Sequence, residues 1–563
     1  MTLEMYTMEI AINLKMVNKM VDKVDIENGQ VYLDKESRVN DYLWNPDFNP
    51  VPKDLRKWGA PTFASLWIAM AVIVPTWTLA TVGLALGLNW IQVIVYMLLG
   101  NLIILVPTII QSHGGARYGV AEPQLTRSRW GIYGAQIPSW IRSIISMGWW
   151  GIETFIIAEA ATYIYLISSR VHITAAVVNK IGPGTLPKYF PAVFWTIFVI
   201  VIIVQLLIFY ISPPVKGQRP LKIMAKAAAP IMAISFIIMF YLFLAGGKFN
   251  FTPIMSFNPK GGTVLEQFAF INANIAYWAT MSVSMPDYTK YAKSQFSQTV
   301  GQIPMPLIMA AVGAMALLGA GASISAGWLP ITSAGQFFNY DPLQLMALYF
   351  PSYFSIPLLI AVIIGTFSVN VFANSIAPGY DIANTYPKKL TWFRGITIGV
   401  AISLVLGAYT AYSTSVYTYV YSWLLAYGAL LGMIEGIIIF DYAVMRHFKI
   451  NIGDLFNNNG SYLFFHGFNP AAIISGTVAI IITYIYEWGI SKAYIFQLLY
   501  DNSWITAFFV AGFLDLVINI VWVIPKYGKT QLGNLKTGYM DQNTRTLFDS
   551  ETHVEREGAQ GNE

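Results

Sequence analysis

From residue 62 onward the chain alternates apolar runs with short polar connections. Each run is about 20 residues or longer, which is what about 30 Å of hydrocarbon demands of a helix. The runs fall near 62–86, 90–112, 135–167, 190–212, 220–245, 265–286, 299–324, 354–377, 394–411, 416–443, 469–487 and 503–525. In lipid a segment has to satisfy its own backbone N–H and C=O groups, and a helix does so alone. The pattern therefore predicts an all-α polytopic membrane protein of twelve helices, with a transmembrane domain over residues 62–525. Residues 1–61 and 526–563 carry no such run and read as N- and C-terminal tails. The first ends in the turn-rich stretch Asn45-Pro46-Asp47-Phe48-Asn49-Pro50 and lacks the basic start, apolar run and cleavage site of a signal peptide.

Composition supports the pattern. Of 563 residues, 56% are hydrophobic and 11% charged, and the mean hydropathy is +0.54. Soluble domains average about 25% charged residues, so an ordinary soluble enzyme is excluded. The tails hold 8 basic and 10 acidic residues (1–61) and 5 basic and 6 acidic residues (526–563), leaving 21 basic and 13 acidic for the 464 positions between. No basic run lies on a polar surface, so nucleic acid is not an expected partner. The absence of cysteine rules out disulfides, thiolate metal sites and cysteine nucleophiles.

Short-loop Lys and Arg set orientation. With the N-terminus inside, the inner loops hold Arg117, Arg127, Arg129, Lys216, Arg219, Lys222, Lys290, Lys293, Lys388, Lys389, Arg394, Arg446 and Lys449. The outer loops hold Arg170, Lys180, Lys188, Lys248, Lys260 and Lys492. Thirteen against six predicts both termini in the cytoplasm of a multi-pass plasma-membrane protein.

An internal echo adds to this. Trp67, Met70, Val72 and Pro75 in the first run match Trp278, Met281, Val283 and Pro286 in the sixth at the same offsets. Pro-interrupted segments five helices apart are expected of an inverted-repeat transporter whose first and sixth helices are broken.

Ionisable groups at membrane depth are costly and mark function. Arg142, Lys226 and Glu266 lie near helix ends, where snorkelling accounts for them. Glu159, Glu435 and Asp515 are deeper and carry no assigned role. Glu153 stands out, because it follows Trp149 by four residues and shares its helical face. Gly151 between them permits close approach of a helix or a ligand. An aromatic plane beside a carboxylate suits a flat polar heterocycle, which stacks on one and bonds to the other. In low dielectric Glu153 is also a candidate proton carrier. Asn370 and Asn374 place two carboxamides on one face, able to bond an amide edge in either sense; interhelical glue is the other reading. There is no nucleophile–base pair, metal cluster or phosphate cradle, so no enzymatic activity is expected.

The residues also resemble a family. Lys57-Trp58 through Trp67, His113-Gly-Gly-Ala-Arg-Tyr-Gly119, Trp149-Trp-Gly-Ile-Glu153, Met285-Pro-Asp-Tyr-Thr-Lys-Tyr-Ala-Lys-Ser294 and Asn370-x-x-x-Asn374-x-x-x-Pro378 stand in the order seen in nucleobase:cation symporter-1 transporters. Asp441-Tyr442, Arg446, Asp454-Leu455, Gly467 and Asn469 extend the resemblance, which covers roughly residues 45–470. It implies a LeuT-like 5+5 inverted repeat and symport of uracil, cytosine, purines, allantoin, hydantoins or thiamine with sodium or protons, and no other cofactor. It further implies that Trp149 and Trp278 sandwich the ring, with Glu153, Asn370 and Asn374 as polar partners and Tyr277 and Ile73 beside them. The family's sodium site corresponds to Ala69 and Val72 on the first helix and Gly365, Ser368 and Val369 on the eighth, so one of its two hydroxyls is missing. The helix-three position is often glutamine in the family, and a helix-one glutamine of its hydantoin-type members is Ile73 here. The missing hydroxyl of the sodium site and the carboxylate of Glu153 favour proton over sodium coupling. The expected protein is thus an importer of a planar nucleobase or allantoin, a monomer or weak homo-oligomer in the bilayer. The rivals are a sodium-coupled hydantoin carrier, a carrier of cationic vitamins, and a non-transporting receptor.

Overall fold

The structure, a computed structural model, describes residues 24–27, 30–33, 43, 45–169, 186–214, 219–257, 259, 262–331, 333–410, 416–458 and 460–527. Most of both expected tails, and Arg170, Lys180, Lys216 and Lys260, lie outside the described residues. A short antiparallel hairpin, β1 (Val24–Glu27) and β2 (Gln30–Leu33), precedes an otherwise helical chain.

Helices stand at each of the twelve expected positions. In chain order the main helices are α1 (Ala60–Ala71), α2 (Val74–Ala85), α3 (Trp90–Tyr118), α4 (Glu122–Trp130), α5 (Gln136–Ser168), α6 (Pro191–Tyr210), α7 (Arg219–Gly246), α8 (Val264–Ser284) and α9 (Gln295–Gln302). They continue as α10 (Met305–Ser325), α11 (Pro342–Tyr349), α12 (Ser352–Ala373), α13 (Ile376–Ala383), α14 (Trp392–Thr410), α15 (Val416–Ile439), α16 (Pro470–Tyr484), α17 (Tyr494–Asp501) and α18 (Ser503–Ile518). Among the described residues, eight helical stretches are long and apolar enough to cross a membrane, and the bent pair α1–α2 makes nine. The other three expected spans fall short for visible reasons. The apolar parts of α14 and α16 are brief, and α8 carries Glu266, Gln267, Asn272 and Asn274.

Polarity is distributed as lipid requires. Outward positions such as Val106, Leu207, Ile237, Val405 and Val521 are exposed, while Arg142, Glu153, Asp287, Asp381 and Glu435 are buried inside the bundle. Arg142 is therefore not snorkelling. Its guanidinium is held by Asp381, with Nε 2.7 Å from Oδ2, and lies 3.6 Å from Asp287. Two carboxylates brought in from other elements neutralise it, which the position of Arg142 at the start of its run did not reveal. Glu266 sits in a capping box with Thr263 at the start of α8, as a helix-end residue should.

Two helices are interrupted beside one another. α1 and α2 meet at 56°, with Val72 (φ −89°, ψ 69°) turned out of the helix and Ile73 (φ −140°, ψ 164°) extended between them. Pro75 lacks the N–H that would bond to Ala71, so the helix cannot run through. α12 stops at Asn374 and resumes as α13; the Ser375 hydroxyl donates to the Asn370 carbonyl at 2.8 Å, and Pro378 follows. The expected break of the sixth helix beside Trp278 is not there. α8 is continuous to Ser284 and yields only at Met285, ahead of Pro286. Residues 278–284 contain neither glycine nor proline, so nothing before Pro286 stops the helix.

One end of the bundle is crossed by residues 45–58, which are packed rather than tail-like. Arg56 donates to the carbonyls of Val51, Val31 and Tyr118, and Trp58 N–H to Tyr291 O at 2.8 Å. The Asn45 carboxamide donates to Pro387 O and Leu390 O, and the Asp47 carboxylate accepts from Trp392 N–H. The strap thus ties the end of α3 to the segment after α8 and to the α13–α14 loop.

Candidate substrate site

The two interruptions open onto one internal cavity of about 310 Å³. Met70 and Ile73 reach it from the α1–α2 break, and Trp149 and Glu153 from one face of α5, four residues apart. Tyr277, Trp278, Thr280 and Met281 come from α8, and Val369, Ala373 and Asn374 from the end of α12.

The aromatic walls are held edge-on to one another. Trp278 meets Trp67 at 5.0 Å and 79° and Tyr277 at 5.0 Å and 85°, and Tyr277 meets Trp149 at 5.4 Å and 75°. Such T-shaped contacts are favoured by the ring quadrupoles. Hydrogen bonds lock the set: Trp149 Nε1 donates to Tyr427 at 3.0 Å, Tyr427 to Ala276 O at 2.9 Å, and the Tyr277 hydroxyl pairs with Thr76 at 3.1 Å.

Polar capacity facing this cavity is incompletely used. Among the described residues, Glu153 Oε2 and Trp278 Nε1 are buried without a hydrogen-bond partner. Buried polar groups are normally satisfied, so an acceptor and a donor remain for a ligand. Asn374 lines the cavity and hydrogen-bonds to Glu153. Asn370 does not line it. Its Nδ2 donates to Trp150 O, Thr154 Oγ1 and Gln205 Oε1 at 3.0–3.1 Å, and its Oδ1 accepts from Asn374. Asn370 therefore holds Asn374 from behind, one helical turn back, because its side chain points to α5 and α6.

The expected cation ligands are brought together on α1 and α12, with α7 against both. Ala69 packs with Ala228 and Ala229 of α7, and the Met232 side chain fills the space beside Gly365. Ser368 is buried and Val369 faces the cavity. Apart from backbone carbonyls freed at the end of α1, Ser368 is the one hydroxyl-bearing residue among these positions.

Several lining residues carried no separate signal in the sequence. Thr280 and Met281 become legible once Trp278 is placed on a continuous helix, since they follow on its next residues. Met70 stood in the internal echo and Val369 at the expected cation position, neither as a substrate contact, and Ala373 is an apolar residue in an apolar run, which no pattern distinguishes. Tyr427 belongs to α15, whose approach to α5 only the tertiary structure supplies.

Charged groups outside the expected membrane spans cluster at the strap end. Burial pushes the Glu122 carboxyl up to about 7 against the pull of Arg129, and brings the Lys290 ammonium down to about 7 against the pull of Asp287.

Residues 50–506 match the family described as permease for cytosine/purines, uracil, thiamine, allantoin. The chain is 30% identical to the purine-uracil permease NCS1 of Arabidopsis thaliana over 86% of its length and 79% of that protein. It is 28% identical to the allantoin permease of Bacillus subtilis (strain 168), over 86% and 95% of the two chains. Among solved structures it is similar to Mhp1, a nucleobase-cation-symport-1 family transporter with bromovinylhydantoin bound, with a TM-score of 0.67 at 21% identity over 90% of this chain and 99% of that one. MhsT in complex with L-phenylalanine is similar at a TM-score of 0.52 and 12% identity, over 82% and 97%. These two structures share the LeuT-like fold expected from the sequence. With its fold, its family match and its relatives in agreement, the chain belongs to the nucleobase:cation symporter-1 family of membrane transporters.

Proposed function

We propose that the protein imports a planar nitrogen heterocycle, uracil or another nucleobase or allantoin, across the plasma membrane, with both termini cytoplasmic and a proton as the coupled ion. The observation that carries this reading is the cavity between Trp149, Tyr277 and Trp278 with Glu153 Oε2 and Trp278 Nε1 unsatisfied. A flat ring gains stacking on the indoles, and its N–H and C=O edge meets the free acceptor and donor. Asn374, steadied by Asn370, adds a carboxamide beside Glu153. The relatives named for purine-uracil and allantoin transport support this substrate class.

Proton coupling is supported by two features of the chain. Val369 and Met232 leave the expected cation position poor in oxygen ligands, and Glu153 supplies a carboxyl at the substrate. The deciding test is uptake by purified protein in liposomes of uracil, cytosine, adenine, allantoin and thiamine, at two pH values, with and without sodium. Accumulation of uracil or allantoin on an inward proton gradient without sodium is expected. Accumulation on a sodium gradient alone at clamped pH contradicts proton coupling, and accumulation of thiamine alone contradicts the substrate class.

A further inference from the structure

Glu435 lies on α15, deep in the bundle and fully buried. It does not touch the substrate cavity. One carboxylate oxygen accepts from the Ser282 hydroxyl of α8, and the Trp504 indole of α18 is a second donor to the carboxyl group. Ser282 in turn lies 2.8 Å from the Thr108 hydroxyl of α3, which is 2.6 Å from the carbonyl of Ile104. Three helices thus meet at a carboxyl group and two hydroxyls in single file.

This chain is complete in either direction. With Glu435 ionised, Thr108 O–H donates to Ser282 Oγ and Ser282 O–H donates to the carboxylate. With Glu435 protonated, its O–H donates to Ser282 Oγ, Ser282 O–H to Thr108 Oγ1, and Thr108 O–H to the Ile104 carbonyl. One added proton reverses two hydroxyls, and no hydroxyl loses a partner in either state. A carboxyl group serving only as structural glue needs one of these arrangements, not both.

A polar line also leads away from the group. The Ser112 hydroxyl donates to Thr108 O and accepts from Gln302, Gln302 donates to Gln298 and Gln298 to Gln295. Gln295 is half-buried at the strap end of the bundle. Hydrogen-bonding side chains therefore run from that end as far as the backbone carbonyl of Thr108, the residue whose hydroxyl belongs to the Glu435 chain.

No cation neutralises Glu435 permanently among the described residues. The elements packed against α15 bring His113 and Arg117 (α3), Glu122, Arg127 and Arg129 (α4), Arg142, Glu153 and Glu159 (α5), Glu266 (α8) and Asp515 (α18), with Asp441 beyond its own end. Arg129 pairs with Glu122 and Arg142 with Asp381, and Arg127 donates to the Leu43 and Leu455 carbonyls. Glu122 is the charged group acting on Glu435 through space, and it is acidic.

We propose that Glu435 is a second proton-binding site, distinct from Glu153, whose loading and unloading reverse the Ser282–Thr108 hydroxyl chain. Ser282 follows Trp278 by one turn of α8, so the proton state is registered on the helix that forms the aromatic wall of the cavity. A shift of α8 that parts Ser282 from Glu435 takes its hydroxyl donor from an ionised carboxylate, leaving Trp504, and favours uptake of a proton; ionisation in turn favours the α8 position seen here.

The test is an infrared titration of the carboxylic acid C=O band in the full-length protein in liposomes, from about pH 5 to about pH 9, without substrate. That makes it independent of the cavity assignment. The wild type is expected to lose one band on raising pH that is absent from Glu435→Gln and present in Glu153→Gln. Ser282→Ala, which removes the carboxylate's hydroxyl donor, should hold that band to a pH higher by about one unit or more. A band that survives in Glu435→Gln, that never titrates over this range in the wild type, or that titrates identically in Ser282→Ala overturns the proposal. Should Glu435→Gln not fold, the Ser282→Ala shift still decides it.

Discussion

Glu153 and Trp149 show how much a single spacing can carry. Four residues on a helix put a carboxylate and an indole on one face, and both line the same cavity in the folded chain. Asn370 shows where such spacing stops being informative: it shares a face with Asn374, yet only the packing of α5 and α6 reveals that it turns away from the cavity. Replacing it by alanine leaves the Trp150 carbonyl, Thr154, Gln205 and Asn374 short of a partner. Asn370→Ala should therefore cost about 2–4 kcal/mol, read as a lowered melting midpoint of the purified protein, together with weaker substrate binding. An unchanged midpoint would show that these bonds are replaced by water. Glu153→Gln keeps the hydrogen-bonding shape but cannot exchange a proton. Vesicles carrying it should exchange labelled for unlabelled substrate while losing accumulation driven by a pH gradient; wild-type accumulation would remove Glu153 from the coupling path.

Among the elements, the long apolar helices were legible because lipid leaves one solution for a run of about 20 apolar residues. What escaped were helices whose stability comes from tertiary partners. α4 is polar yet buried along its whole length, held by Arg127 to the Leu43 and Leu455 carbonyls and by the Glu122 N–H to the Asp287 carboxylate. α11 and α17 have eight residues each, too few for hydropathy to register. Proline located both breaks: Val72 and Ile73 have left helical geometry just before Pro75, and the sixth helix yields at Met285, ahead of Pro286. The expectation of a break beside Trp278 put the sixth one too early. The strap depends on Arg56, whose guanidinium serves carbonyls of three separate segments. Arg56→Ala should destabilise the protein by about 1–3 kcal/mol and speed limited proteolysis between residues 45 and 58. Proteolysis at the wild-type rate would mean that the strap is held by Trp58 and Asn45 without it.

At the scale of the whole molecule, scarcity of charge is the organising fact. Only 11% of residues are charged, and those inside the bundle are gathered into a few places: Arg142 with Asp381 and Asp287, Glu153 at the cavity, Glu435 behind it. The outer surface is left to apolar side chains. The cysteine-free sequence makes the orientation directly measurable. Single cysteines replacing Lys389 and Lys492, both exposed, should label differently with a membrane-impermeant maleimide in intact cells. Lys492→Cys should react at once and Lys389→Cys only after permeabilisation; the reverse pattern would invert the topology.

The central claim is that the cavity bounded by Trp149, Trp278 and Glu153 is where a planar heterocycle binds. Base–aromatic stacking contributes about 1–3 kcal/mol per base on loss of the ring, so the most direct measurement is the dissociation constant of whichever of uracil and allantoin the wild type transports, compared with that of Trp278→Ala. A rise of about 5- to 150-fold in a folded variant with an unchanged elution profile is the predicted result. An unchanged dissociation constant would place the substrate elsewhere in the molecule.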